Sequence, residues 1–120
     1  MKKTASARFL VIVVSALFAL SLPHLALAHS PQKVDVSYDF ASQTLVVKIT
    51  HTSNTPDRHF VKEVVVNKNG QVVQRGEYTM QAGDTFTYTY KMAATGADTI
   101  EVTATCSIHG STTQKFNPGV

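Results

Sequence analysis

The stretch Thr105 to Ser111, TCSIHGS, holds the one cysteine of the chain, with His109 three residues later and Gly110 directly behind it. A thiolate and an imidazole at the two ends of one turn are donor atoms for a metal ion. Beyond the first 28 residues, three further histidines, His29, His51 and His59, precede them. Four imidazoles and one thiolate make a full donor set for a transition metal. Soft sulfur and borderline nitrogen suit iron or copper, whereas magnesium and calcium take oxygen ligands. Zinc accepts the same donors, but structural zinc is four-coordinate and usually richer in sulfur. Each residue alone also has a plainer reading. Cys106 can be a small buried hydrophobe, His109 a turn residue, His51 and His59 exposed residues around the loop TSNTPDR, and His29 a consequence of where a leader ends. Cysteine hydrolase chemistry fits poorly, because residues three apart across a tight turn rarely align as nucleophile and base and no glycine-rich oxyanion elbow accompanies them.

The elements that must position these donors read as short strands in which apolar and polar residues alternate. In KVDVSYDF, Val34, Val36, Tyr38 and Phe40 share a face. In QTLVVKITH, Leu45, Val47, Ile49 and His51 do so, and in DTFTYTYKM, Phe86, Tyr88, Tyr90 and Met92. In ADTIEVTATC the inner row is Ile100, Val102, Ala104 and Cys106. HFVKEVVVNK and QVVQRGEY are joined by Asn69-Gly70, a two-residue hairpin signal because both turn positions need positive φ. A last strand is expected over about Thr112 to Phe116. Six or seven strands at this spacing, without an amphipathic helix, predict an all-β, immunoglobulin-like antiparallel sandwich. The Cys and Trp hallmarks of antibody domains are missing, so only the architecture is implied. Cys106 and His51 each end an inward row and so point to the rim of the sandwich. Asp35, Asp39, Glu63 and Glu101 fall on outward faces and read as solvating charges.

Residues 1–28 read as an export signal. Lys2, Lys3 and Arg8 form a basic start, FLVIVVSALFAL from Phe9 to Leu20 is an apolar run short for a membrane span, and ALA from Ala26 to Ala28 suits cleavage before His29. The expected product is one domain over residues 29–120, periplasmic or secreted, meeting the membrane only through the leader. The whole chain has 11 Lys+Arg against 8 Asp+Glu, but three of the basic residues are in the leader. The remaining charges balance, which gives no reason to expect a nucleic-acid partner. One cysteine cannot form an internal disulfide, and a lone thiol in an oxidising compartment is safe when it is buried or held by a metal.

CSIHG, Cys106 to Gly110, resembles the C-[NS]-[IL]-H-G signature of superoxide reductases, the desulfoferrodoxin and neelaredoxin family. HFVKEVVV from His59 is similar to the family's His-aromatic-Ile-x-x-Ile segment, His51 corresponds to the histidine opening the preceding loop, and HSPQKVDV from His29 resembles its His-x-Pro segment. The similarity runs in order through nearly all of residues 29–120. It implies a mononuclear non-haem iron, cycling between Fe2+ and Fe3+, with His29, His51, His59 and His109 as equatorial ligands and Cys106 as the axial thiolate. The implied reaction is reduction of superoxide to hydrogen peroxide, with electrons from an unidentified donor. Where family members carry Glu-Lys before the first histidine, Leu27 and Ala28 stand here, so another cation, Lys33, Arg58 or the α-amino group of His29, would have to attract the anionic substrate. The loop 52–58 between His51 and His59 is longer than the family's usual spacing. No Cys-rich rubredoxin-like segment is present, so a single metal centre is expected.

Two other classes of function fit the same residues. A copper-binding or electron-carrying exported module also uses Cys and His at strand ends, and an amino-terminal histidine chelates copper through amine and imidazole together. A non-enzymatic scaffold or carrier on the same sandwich needs no metal at all.

Overall fold

The computed structural model describes residues 29–120; the leader and the cleavage point read from residues 1–28 lie outside them. The described chain forms seven strands: β1 (Lys33–Asp39), β2 (Thr44–Thr50), β3 (Val61–Lys68), β4 (Gln71–Glu77), β5 (Thr85–Lys91), β6 (Ile100–Cys106) and β7 (Ser111–Phe116). Neighbouring strands are antiparallel throughout, in a three-stranded sheet β1-β2-β5 and a four-stranded sheet β4-β3-β6-β7. No helix occurs among the described residues.

Alternation decides which side chains enter the core. Leu45, Val47 and Ile49 of β2 face Ile100, Val102 and Ala104 of β6 and Val61, Val64 and Val66 of β3, and all nine are fully buried. Val36, Tyr38, Tyr88, Tyr90 and Phe116 pack around them. Apolar burial of this kind stabilises by about 25 cal/mol for each Å² removed from water. Phe40, expected on the inner row of β1, lies beyond the strand and is half exposed, its ring 5.0 Å from that of Tyr38. The β3–β4 connection is the expected two-residue turn, with φ of 54° at Asn69 and 89° at Gly70.

The outward carboxylates serve local purposes. Glu63 meets Arg75 at 2.6 Å and Glu101 meets Lys115 at 3.6 Å across paired strands, contacts worth little at the surface. Asp39 accepts from Ala41 N and Ser42 Oγ in the β1–β2 turn, and these bonds hold its carboxyl below the usual range.

One irregularity positions the site. Pairing of β3 with β6 slips between Val61 and Glu63, so Val61 lies opposite Cys106 and Glu63 opposite Thr105. The extra residue, Lys62, is exposed, whereas Val61 is fully buried. Unbroken alternation back from Val66 and Val64 would have pointed Lys62 inward. The bulge inverts that phase at the start of β3.

Candidate metal centre

His51 follows β2 directly and Cys106 ends β6, so the two sheets deliver one donor each to the same end of the core. Cys106 is 2% exposed and His51 is fully buried. His59 comes from the loop before β3. Donor atoms of His51, His59 and Cys106 all lie within 4.8 Å of one another.

The 52–58 loop folds back on itself, and that is how the two histidines meet. His59 N donates to Thr55 O at 2.7 Å and Arg58 N to the same carbonyl at 2.9 Å, closing a turn. Ser53 Oγ donates to His59 O at 2.5 Å, and Asp84 holds the start of the loop by accepting from His51 N and Ser53 N. The ring centroids of His51 and His59 are 4.6 Å apart, nearly perpendicular. Seven intervening residues therefore still let both imidazoles come together.

His59 Nε2 is the buried side-chain nitrogen or oxygen without a hydrogen-bond partner among the described residues. Leaving such an atom unpaired costs about 1–3 kcal/mol, and a metal ion is a partner that removes the cost. Burial, then the neighbouring charges of His51 and His29, hold the His59 pKa below its ordinary value. The neutral imidazole, the form that ligates metal, is favoured. At Cys106 the sulfur accepts the Ile108 amide at 3.4 Å, which turns a positive dipole end toward it.

His29 is exposed but not remote. Its ring lies 5.5 Å from that of His51 and 5.7 Å from that of His59. The segment carrying it is fastened at several points. Thr112 Oγ1 donates to Pro31 O, Gln32 N donates to Thr50 O at 2.9 Å, and the Gln32 side chain pairs with Thr52 through two bonds of 3.1 Å. Gly110, with φ of 78°, lies so close to Ser30 that a Cβ there would collide with its side chain. Gly110→Ala is therefore expected to cost about 1–2 kcal/mol for the left-handed backbone alone and to push the His29 segment outward, weakening metal uptake. Chemical denaturation and a Co2+ titration check this: unchanged stability would mean that the turn relaxes out of the left-handed region, and unchanged Co2+ affinity that Ser30 yields freely.

His109 stands apart. It is exposed on the Cys106–Gly110 turn, which closes through Cys106 N to Gly110 O at 2.9 Å, and it is outside the group of mutually close donors. Of the five residues expected to ligate, three converge, His29 borders them, and His109 faces solvent. One further contributor was not legible in the sequence. Gln81, in the connection after β4, is 2% exposed and bonds to His51 through both ends of its amide. Its flanks, Met80 and Ala82, offered no signal of a buried polar position.

Compared with known proteins, the chain matches no family model and no curated protein.

Proposed function

We propose that this domain is an exported, immunoglobulin-like module that binds one transition-metal ion and, with iron, reduces superoxide to hydrogen peroxide in the manner of the superoxide reductases it resembles. The observation that carries the reading is the convergence of His51, His59 and Cys106 within 4.8 Å, two of them fully or almost fully buried. The strand orders β1-β2-β5 and β4-β3-β6-β7 support the immunoglobulin-like assignment, since they correspond to the A-B-E and C′-C-F-G groupings of such sandwiches. His29, beside the trio, and His109, which would have to turn in from solvent on its loop, complete the ligand set that the resemblance implies.

Iron held by His51, His59 and Cys106 would supply one electron to superoxide, which with two protons would leave as hydrogen peroxide, and an external donor would have to return that electron. The chain's own residues set the conditions for this. Cys106 puts a sulfur donor on the apolar floor of the site, where low polarity strengthens its interaction with a cation. His51 and His59 present imidazoles from the two ends of the β2–β3 connection, and the folded 52–58 loop between them sets their separation.

Attraction of the anion falls to Arg58. It is exposed, it forms no ion pair among the described residues, and its carbonyl accepts from Ser107 Oγ at 3.1 Å, which ties it to the Cys106 turn. Lys33 is engaged with Asp35 at 3.5 Å. Arg58→Gln should lower the second-order rate with superoxide by roughly tenfold at low ionic strength, with the deficit shrinking as salt is added. Lys33→Gln should change it little. Equal rates for wild type and Arg58→Gln at low salt would remove Arg58 from this role.

A second reading is favoured by the composition of the converging trio, because two imidazoles and one thiolate also form the trigonal set of electron-transfer copper sites. Protein purified from its own compartment without added metal separates the two. One equivalent of iron together with superoxide reduction that releases no dioxygen supports the first reading. One equivalent of copper without iron supports the second. A metal-free protein as heat-stable as the loaded one, with neither activity, would return the domain to a scaffold.

A further inference from the structure

Gln81 is buried between the two sheets, and its side-chain amide uses its full hydrogen-bonding capacity. Oε1 accepts from His51 Nδ1 at 2.8 Å and from Val61 N at 3.2 Å. Nε2 donates to His51 O at 2.6 Å and to Gly83 O at 2.9 Å. Its backbone is fixed as well, through Gln81 N to Pro56 O at 3.1 Å. The amide has one possible orientation. Flipping it would aim an NH2 group at the Val61 amide and an oxygen at two carbonyls, losing the three bonds whose partners cannot change role.

An oxygen facing His51 Nδ1 can only accept, so that nitrogen carries the hydrogen. A neutral ring then has its lone pair on Nε2. The alternative tautomer has a partner waiting, because Nε2 lies 3.3 Å from His29 O, a carbonyl able to accept from an Nε2–H. With the hydrogen on Nδ1 instead, two electron-rich atoms face each other at that distance, a contact that a cation relieves.

We propose that Gln81 is a positioning residue that holds His51 in the Nδ1–H tautomer, keeps the Nε2 lone pair free for a metal cation, and prevents the His29 carbonyl from capturing that nitrogen. The same amide binds β3 at Val61, the residue opposite Cys106. It therefore links the sheet that carries His51 to the sheet that carries the thiol. Support of a ligating histidine through its far nitrogen is a recurring feature of metal sites, and losing it typically weakens binding by about 10–100-fold. The affinity part of the inference rests on the metal-centre reading above; the tautomer part does not.

The test uses the purified protein, stripped of metal and labelled with 15N in its histidines. Wild-type His51 should show the Nδ1–H tautomer by NMR. Gln81→Met, close in volume but without the amide, should shift it to Nε2–H and lower Co2+ affinity by about 10–100-fold. Gln81→Glu keeps both accepting roles and, with its second oxygen protonated so that it donates to His51 O or Gly83 O, should retain Nδ1–H. An Nε2–H tautomer in the wild type overturns the proposal, and so does a folded Gln81→Met protein with wild-type tautomer and Co2+ affinity. Should Gln81→Met fail to fold, Gln81→Glu decides: Nδ1–H supports the assignment and Nε2–H overturns it. Wild-type protein that shows Nδ1–H yet takes up no Co2+ supports the tautomer assignment and removes the metal-centre reading instead.

Discussion

Cys106→Ser is expected to leave the fold intact and to abolish tight metal binding. The thiol is 2% exposed and its sulfur accepts the Ile108 amide, a bond that a serine hydroxyl of similar size can also accept. Thermal stability of the metal-free protein should therefore change by no more than about 1–2 kcal/mol. Metal affinity should fall by more than about 100-fold, beyond the range seen when only a supporting residue is lost, because the hydroxyl remains protonated and brings no charge to the site. Any visible sulfur-to-ferric absorption should disappear with it. The check is a Co2+ or Fe2+ titration beside a thermal melt of the same sample. Serine-substituted protein that keeps its colour and its affinity would mean that sulfur is not a ligand.

His59→Phe should separate stability from function in the opposite direction. The buried, unpartnered Nε2 of His59 is a liability in the metal-free protein, and a phenyl ring in its place has no polar atom to bury. The variant should be more stable than metal-free wild type by about 1 kcal/mol, roughly 4–8 °C in melting temperature for a domain of this size. It should bind metal poorly. The pH dependence should differ too. His59 has a folded pKa below its unfolded value near 6.5, so it is neutral in both states above that pH and contributes no slope there. As pH falls below 6.5 the unfolded chain takes up the proton first, and the native state loses stability until the depressed folded pKa is passed. Metal-free His59→Phe should lack this part of the acid loss. Melts of both proteins from pH 7.5 to 4.5 without metal supply the comparison, and a variant less stable than wild type at every pH would show that His59 finds a partner in solution.

The strands and the inner rows of β2 and β6 were legible because a half-buried strand repeats every two residues. Leu45, Val47, Ile49 and His51, and Ile100, Val102, Ala104 and Cys106, carry that repeat unbroken, and all eight are buried. Asn69-Gly70 was legible for a similarly local reason, since positive φ at both residues restricts the choice of side chain. The rows that His51 and Cys106 end placed each residue at a rim; that both reach the same end depends on how the two sheets are arranged.

Alternation along each strand, turn chemistry and the inventory of donor atoms were determined by the amino-acid order alone, because each depends on contacts or torsions within a few residues. Tertiary structure decided the rest. The bulge at Lys62 is a mismatch between β3 and β6, and no pattern within either strand announces it. The fold-back of the 52–58 loop, the pressing of Ser30 against Gly110, the outward position of His109 and the burial of Gln81 likewise depend on segments far apart in the chain. Local periodicity reports which face a residue takes; only the packing of two sheets reports what it meets there.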